Sequence, residues 1–520
     1  TLKIPNVLFR HFSIFECKFG PVAQSNKEQE SQISWDEAKP YSEIPGAKTI
    51  IQSLRDVLPG GKLYKASLTE LHLRMNQEYG DIAKLRGLLG KPDFILAFNP
   101  KDIEKVYRNE GQWPKRREFQ VFSYFRRNIR PDIYSENAGL LVEHDEKWKE
   151  LRSKVNPVMM QPRVIRQYIK TVEEVSDDFI KKIIKLRNSK LEMPSDFLNE
   201  LNKWSLESIG SIALDTRLGC LDDNTDKNSD SAKMIQGVHD FFDLTFKLEI
   251  LPSLWKYITT PSLTKLMAAL DTMTNLSLKK VDEILERIKN NPNPKPESET
   301  SVLEKLIKID RKMAVVMAMD MLLAGVDTTS NATAILLYFL ASNQKSQDKL
   351  REEIKTILPN KDSRLSNESF NHLPYLRACM KESSRIIPII GGTVRKLPVD
   401  LVLSGYQVPK GTEVVLSHLI TSLKENQFPD PQKFRPERWL SSQESDGCPL
   451  AKNAHPFAHM PFGFGPRSCV GRRFADLEIE TFIMKLLRNY KIEWHYGELK
   501  VTNTLITVPK TPLKFKVTEI

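Results

Sequence analysis

The sequence predicts a mainly α-helical fold with a small β region, and three observations predict it. Amphipathic stretches, with apolar residues recurring three and four apart, run from residue 67 to residue 489. Alternating, strand-like pieces are short and few. No proline interrupts residues 311–342, and a helix of that length would run roughly 50 Å at about 1.5 Å per residue. That is as long as a domain is wide, so this segment is expected to cross the protein's centre.

In chain order, residues 1–20 mix apolar positions with Lys3, Arg10, His11 and Lys18 against one acid, Glu16, a pattern resembling the remains of a mitochondrial transit peptide. Residues 21–46 are polar and end in Glu43-Ile44-Pro45-Gly46, an entry to the folded body. Residues 1–34 are therefore assigned to a targeting remnant and flexible lead-in, and residues 35–520 to one domain. Helical periodicity is expected over 67–79, 145–156, 163–188, 196–217, 232–248, 262–289, 302–308, 311–342, 344–357, 373–387 and 471–489. Strand-like pieces lie near 82–97, 399–408, 412–416 and 491–517. The polar tracts 221–227 and 290–296 read as exposed loops inside one domain, because neither separates regions of different composition.

Composition narrows the function classes. The 520 residues are 40% hydrophobic and 28% charged, enough for a large core. Lys and Arg number 77 against 66 Asp and Glu, a net charge of +11, which favours an acidic partner or an anionic surface. The basic residues are scattered, without stacking aromatics or zinc-finger spacing, so nucleic acid is not expected. Cysteines 17, 220, 379, 448 and 469 are odd in number and far apart, with no C-x-x-C. They suit a reducing compartment rather than a disulfide framework or zinc. No run of about 18 apolar residues suggests a membrane span. The glycosylation patterns at Asn331 and Asn367 are taken as chance matches, the first because it lies in a helical apolar stretch.

Two segments carry chemistry. Ala324-Gly325-Val326-Asp327-Thr328-Thr329 sits inside the long helical stretch. Glycine in a helix interior costs about 1 kcal/mol relative to alanine, so something is expected to approach the backbone closely there. A helix kink beside a solvated Asp327 is the alternative. The stronger segment is Phe462-Gly463-Phe464-Gly465-Pro466-Arg467-Ser468-Cys469-Val470-Gly471, followed by a helix. Its glycines at 463, 465 and 471 permit tight turns and close approach of a flat ligand. Cys469 falls just before the helix, where backbone amides favour a thiolate, and Arg467 can neutralise an anionic group. An inert buried thiol is the bland alternative.

This loop resembles the F-x-x-G-x-R-x-C-x-G motif of the cytochrome P450 family at every defined position. Four further stretches resemble that family in the same order along the chain. They are Trp148-Lys-Glu-Leu-Arg152, Ala324-Gly-Val-Asp327-Thr328, Glu382-Ser-Ser-Arg385 and Phe434-Arg-Pro436-Glu437-Arg438, the last followed by Trp439 where many members have Phe. The resemblance implies a triangular helical prism around a long central helix, and haem b (iron protoporphyrin IX) as cofactor. Cys469 would be the axial iron ligand, with Phe462 and Gly463 beside it in the loop. Trp148, Arg152, Arg395 and Arg467 would hold the haem propionates, since Arg–carboxylate pairs are strong and orient a planar ligand. Glu382, Arg385 and Arg438 would form a buried structural network. Asp327 and Thr328 would deliver protons to bound O2.

Within the family, the chain resembles mitochondrial members. Arg377 and Lys381 fall on one helix face away from Glu382 and Arg385, and with Arg472 and Arg473 they would dock an adrenodoxin-like ferredoxin fed by an NADPH-dependent reductase. Four ordinary solvated charges are the alternative. The apolar stretch 241–258, with Trp255 and Tyr257 beside Lys256, suits a membrane interface. It implies peripheral attachment to the matrix face of the inner mitochondrial membrane, with core packing as the alternative. Trp35–Tyr41, Gly111–Arg116 and Asn156–Pro162 resemble insect mitochondrial members of family twelve, associated with oxidation of foreign compounds. Met321, Ala324, Ile389, Ile390, Thr393 and Leu505 are the implied pocket for an apolar small molecule, a xenobiotic or a lipid-like compound. An ecdysteroid or other steroid hydroxylase is the main alternative. A haem-thiolate isomerase and a non-catalytic haem sensor lie outside that class, and Asp327-Thr328 argues against both.

Overall fold

The computed structural model describes residues 33–520 except 48, 89–90, 223–227, 291–299, 442–446 and 448–449. Most of the expected targeting remnant, and Cys17 and Cys448, lie outside the described residues. The chain begins with α1 (Ile50–Val57), α2 (Leu68–Tyr79), β1 (Ile82–Leu85), β2 (Phe94–Ala97), α3 (Pro100–Arg108), α4 (Gln120–Tyr124), α5 (Pro131–Tyr134) and α6 (Asp145–Met159). It continues through α7 (Pro162–Arg166), α8 (Ile169–Leu186), α9 (Phe197–Ala213), α10 (Asp230–Thr245), α11 (Pro261–Lys289) and α12 (Val302–Ile309). Then come α13 (Arg311–Ser342), α14 (Gln344–Ile357) and α15 (Pro374–Ile386). The remainder is β3 (Thr393–Lys396), β4 (Leu401–Leu403), β5 (Tyr406–Val408), β6 (Glu413–Leu416), α16 (His418–Thr421), α17 (Arg472–Asn489), β7 (Tyr490–Glu493), β8 (Val501–Asn503), β9 (Thr507–Pro509) and β10 (Lys516–Glu519). The family expectation of a mainly α protein with a small β region holds.

The long stretch is one helix with the expected ends. Asp310 caps α13 by accepting from the Met313 amide, and the chain turns at Asn343. Most of α13 is buried. By length and composition it could cross a membrane, but here it is the central core helix. The stretch 163–188 is two helices, broken at Tyr168, whose hydroxyl accepts from the Val302 amide at 2.7 Å. Helix α10 ends in a π-helical turn over Phe246–Ile250.

The four-stranded sheet runs β1-β2-β6-β3, with β2 and β6 parallel and the other pairs antiparallel. Strand β3 was not expected; Thr-Val-Arg-Lys lacks apolar alternation, and its place is set by pairing with β6. It puts Arg395 opposite Val414. The larger core is laid around α13. In it Phe179 of α8, Trp204 of α9 and Phe482 of α17 meet at 4.9–6.0 Å between ring centres, the first two stacked and Phe482 tilted against both. These rings fix α17, and hence the loop preceding it, against the central helix.

Candidate active site

The cysteine loop closes on itself before α17 begins. The Cys469 amide donates to Phe462 O at 2.9 Å, which makes the intervening residues a compact lobe. Gly463 and Gly465 have φ of +71° and +68°, a region that side chains disfavour. At Gly465 a Cβ would also lie 2.5 Å from Glu110 Oε1. Gly471 differs from expectation: its φ is −85° and it starts the helix, so no left-handed turn demands it. Burial pushes the Cys469 thiol up, opposed by the amides of Gly471 and Arg472 and by the Arg152 guanidinium. Surrounded by protein, Cys469 still presents open surface, as a residue lining the wall of a cleft does.

Helix α13 supplies a second wall. Ala324 is exposed and Gly325 and Thr328 are half-exposed, although the rest of the helix around them is buried. A core helix with one bare patch at mid-length borders an internal cleft. The Thr328 hydroxyl donates to Ala324 O at 2.7 Å. What approaches Gly325 is protein: a Cβ there would meet Ile209 Cγ1 of α9 at 2.8 Å, and Ser205 Oγ donates to Gly325 O at 3.2 Å. The close approach that the glycine foretold is thus a helix crossing. Asp327 is buried, with Oδ1 3.2 Å from His239 Nε2.

Around the cleft, arginines crowd together. Arg467 lies 3.8 Å over the Trp148 ring and donates to Pro114 O and Glu143 O. Burial and the neighbouring Arg116, Arg395 and Arg152 push it down to about 8. Arg116 is lowered to about 10 by burial, then by Arg395 and, less, Arg152. Arg152 donates to Ser468 O at 2.9 Å, next to the cysteine. Arg395 is already matched, bonded to Glu110 at 2.5 Å. Buried nitrogens of Trp113, Arg116, Arg152 and His144 lack a protein partner. Buried donors without acceptors are costly, and guanidiniums at close range repel. The arrangement therefore suits a ligand that brings carboxylates, as a haem does with its propionates. Trp113 and Arg116 were missed as site residues, although the Gly111–Arg116 stretch had been noted for its likeness alone.

Behind the cysteine loop, Glu382, Arg385 and Arg438 meet without solvent contact. Arg385 makes a two-pronged bond to Glu382 at 2.8 Å for each prong, and Arg438 Nε adds a third at 3.1 Å. Trp439 Nε1 donates to the same carboxylate at 2.9 Å. The expected basic face is divided. Lys381, Arg472 and Arg473 are exposed, and Lys381 is lowered by burial and then by Arg472 and Arg377. Arg377 is not free: it bonds Glu480 at 2.7 Å and Phe370 O at 2.8 Å.

The implied pocket residues also divide. Ala324 lies on the cleft wall, and Ile389, Thr393 and Leu505 are partly accessible. Met321 is buried and Ile390 is exposed. The Thr393 hydroxyl is shared with Tyr107 at 2.9 Å. A separate surface cavity of 530 Å³ lies between Gln120–Asn128 and Trp255–Leu263 and contains none of these residues.

A helical fold of this kind, with an accessible cysteine in a glycine-shaped loop, a bare patch on the central helix and a crowd of buried arginines near the cysteine, is that of a haem-thiolate protein. Residues 58–517 match the family model for cytochrome P450. The chain is 44% identical over 497 residues to cytochrome P450 CYP12A2 of Musca domestica, covering 94% of this chain and 92% of that one. It is 42% identical to probable cytochrome P450 12a5, mitochondrial, of Drosophila melanogaster, with 94% and 92% covered. It is 41% identical to cytochrome P450 12b1, mitochondrial, of Drosophila acanthoptera, with 89% and 87% covered. The chain belongs to the cytochrome P450 family. It is a haem monooxygenase, with haem b as its cofactor.

Proposed function

We propose that this monooxygenase inserts oxygen into apolar small molecules, foreign compounds or lipid-like ones, using electrons from a ferredoxin in the mitochondrion. The observation that carries the reading is the accessibility of two chemistry-bearing stretches: Cys469 is exposed in its loop, and Ala324 and Thr328 form a bare patch on the otherwise buried α13, as two walls of one haem site would. Bound haem supplies dioxygen activation, with a thiolate ligand favouring O–O cleavage. Cys469 is the group to ligate the iron, with Phe462 and Gly463 shaping the lobe around it. Trp148, Arg152, Arg395 and Arg467 would hold the haem propionates, joined by Arg116. Arg395 does so as part of a pair with Glu110, which holds its orientation.

Two protons must reach the site for each oxygen inserted. Thr328 offers a hydroxyl on the bare patch of α13, and Asp327, the preceding residue, offers a buried carboxyl that can hand protons to it. Ala324, Ile389, Thr393 and Leu505 leave a mostly apolar space for substrate, with Met321 behind the wall and Ile390 at its outer edge. Glu382, Arg385 and Arg438 serve stability.

Electrons arrive on the side of α15 and α17, where Lys381, Arg472 and Arg473 present positive charge to an acidic adrenodoxin-like ferredoxin, itself reduced by an NADPH-dependent reductase. The mitochondrial names of relatives at 40–42% identity support that donor and location. Leu251, Leu254, Tyr257 and Ile258 are exposed next to Lys256, which supports peripheral contact with the inner membrane from the matrix side. Ferredoxin-driven turnover of a substrate panel, with oxygen uptake measured, tests the whole reading. Replacing Cys469 with Ser is expected to abolish the red-shifted carbon monoxide spectrum of the ferrous enzyme. Survival of that spectrum would remove the thiolate assignment.

A further inference from the structure

Asp327 belongs to a contact set drawn from three helices, and the geometry around one nitrogen has a consequence. Ser330 Oγ of α13 donates to Asn202 Oδ1 of α9 at 2.5 Å. That bond orients the amide, so that its NH2 faces His239 of α10, with Nδ2 3.0 Å from Nε2. The same Nε2 lies 3.2 Å from Asp327 Oδ1. One ring nitrogen thus faces a donor and an acceptor together, and no single protonation state serves both. Without a proton, Nε2 accepts from Asn202; with one, it donates to Asp327. In the structure Asn202 Nδ2 lies slightly nearer to Nε2 than Asp327 Oδ1 does, so the ring stands between the two partners. The His239 side chain is 38% exposed against 5% for Asp327, so the imidazole is where this network meets solvent.

We propose that His239 is the solvent-side relay for Asp327, exchanging its Nε2 contact between Asn202 and Asp327 to carry protons inward. The inference rests on the proposed role of Asp327 as the buried acid. In the step, the ring turns outward and Nε2 takes a proton from a solvent hydronium ion, releasing water and forming imidazolium. It turns back and passes that proton to Asp327 Oδ1, leaving neutral imidazole and a carboxylic acid; no electrons move. The charges around the ring are compatible. Burial disfavours the imidazolium, but Asp327 of α13 and Asp243 and Asp240 of its own helix outweigh this and raise His239 above the ordinary histidine value. Lys265 of α11 engages Asp240 at 2.7 Å, and α9 presents the neutral Asn202. The sign follows: the relay is charged at lower pH and loses its proton as pH rises through that elevated value.

Two measurements on the haem-loaded enzyme test this. In the ferrous carbon monoxide form, NMR of isotope-labelled imidazoles should show His239 titrating above ordinary histidine in the parent and lower in Asp327→Asn. With ferredoxin, its reductase and NADPH, and no substrate added, the fraction of consumed oxygen released as peroxide is followed against pH and in deuterated water. His239→Gln should raise that fraction several-fold and flatten its pH profile. His239→Lys keeps a cation beside Asp327 but should flatten the profile too, because an ammonium does not titrate in that window. If both His239 variants kept the parent profile and isotope effect while Asp327→Asn altered them, the relay would be overturned. If Asp327→Asn altered neither, the role of Asp327 itself would fall, and the relay with it. The carbon monoxide spectrum and the imidazole titration of the parent keep the test decisive should one variant fail to fold.

Discussion

Glu382 shows how much one residue can gather. Its carboxylate is closed off from solvent and accepts from Arg385, Arg438, the Arg435 amide and the Trp439 indole. The indole stands where many family members have Phe, and here it donates a bond that Phe cannot. Trp439→Phe should leave Glu382 Oε2 short of a donor and cost about 1–3 kcal/mol. Thermal unfolding of the haem-loaded enzyme would register this as a lower midpoint with an unchanged carbon monoxide spectrum; an unchanged midpoint would show that the bond adds nothing. Thr328 allows a sharper test at the same scale. Its hydroxyl stands on the cleft wall and leans on Ala324 O. Thr328→Ala should keep substrate binding and oxygen uptake while diverting most reducing equivalents to peroxide. Full coupling in that variant would remove Thr328 from proton delivery.

At the scale of elements, α15 and α17 form the candidate docking face, and ion pairing within the protein ranks its cations. Arg377 is occupied by Glu480, while Lys381 sits exposed 5.7 Å over the Trp439 ring. Charge reversal at Lys381 should therefore slow ferredoxin-dependent reduction more than reversal at Arg377. It should also flatten the dependence of that rate on salt. Stopped-flow reduction across ionic strengths measures both, and equal rates for parent and Lys381→Glu would end the docking assignment. Exposed pairs contribute little to stability, so Arg472 and its Asp476 neighbour at 3.6 Å are not expected to matter for folding. The segment after α10 makes a parallel case. Tyr257 and Ile258 are 72% and 57% exposed, and large apolar side chains clustered in the open mark an interaction surface. Replacing both with Asp should weaken binding to vesicles of inner-membrane lipid composition in a flotation assay. Undiminished flotation would place membrane contact elsewhere.

For the whole molecule, legibility in the sequence tracked how local each cause was. The span of α13 was readable because apolar periodicity and an absence of proline act locally along the chain. The cysteine loop was readable for the same reason: Gly463 and Gly465 serve turns whose geometry is internal to the loop. The Glu382–Arg385 pair follows from a spacing of three on one helix. Strand β3 and helices α1, α3, α4, α5 and α16 were not foreseen. The strand is four residues long and owes its place to β6, and these helices are all short. Helix α3 did carry a start signal, Asn99 accepting from the Lys101 amide before Pro100. The sequence by itself thus determined the helical class and the central helix, because spacing along the chain sets turns and helix faces, while the candidate ligand cysteine and the members of the buried ion network came from motifs shared with the family. Only the tertiary structure decided that Ile209 fills the space at Gly325 and that Arg377 is held by Glu480. It alone joined Arg395 to Glu110, brought Arg116 beside Arg467 and set His239 against Asp327. Those facts depend on which side chains meet across helices far apart in sequence, and packing, not spacing, settles which charges find partners.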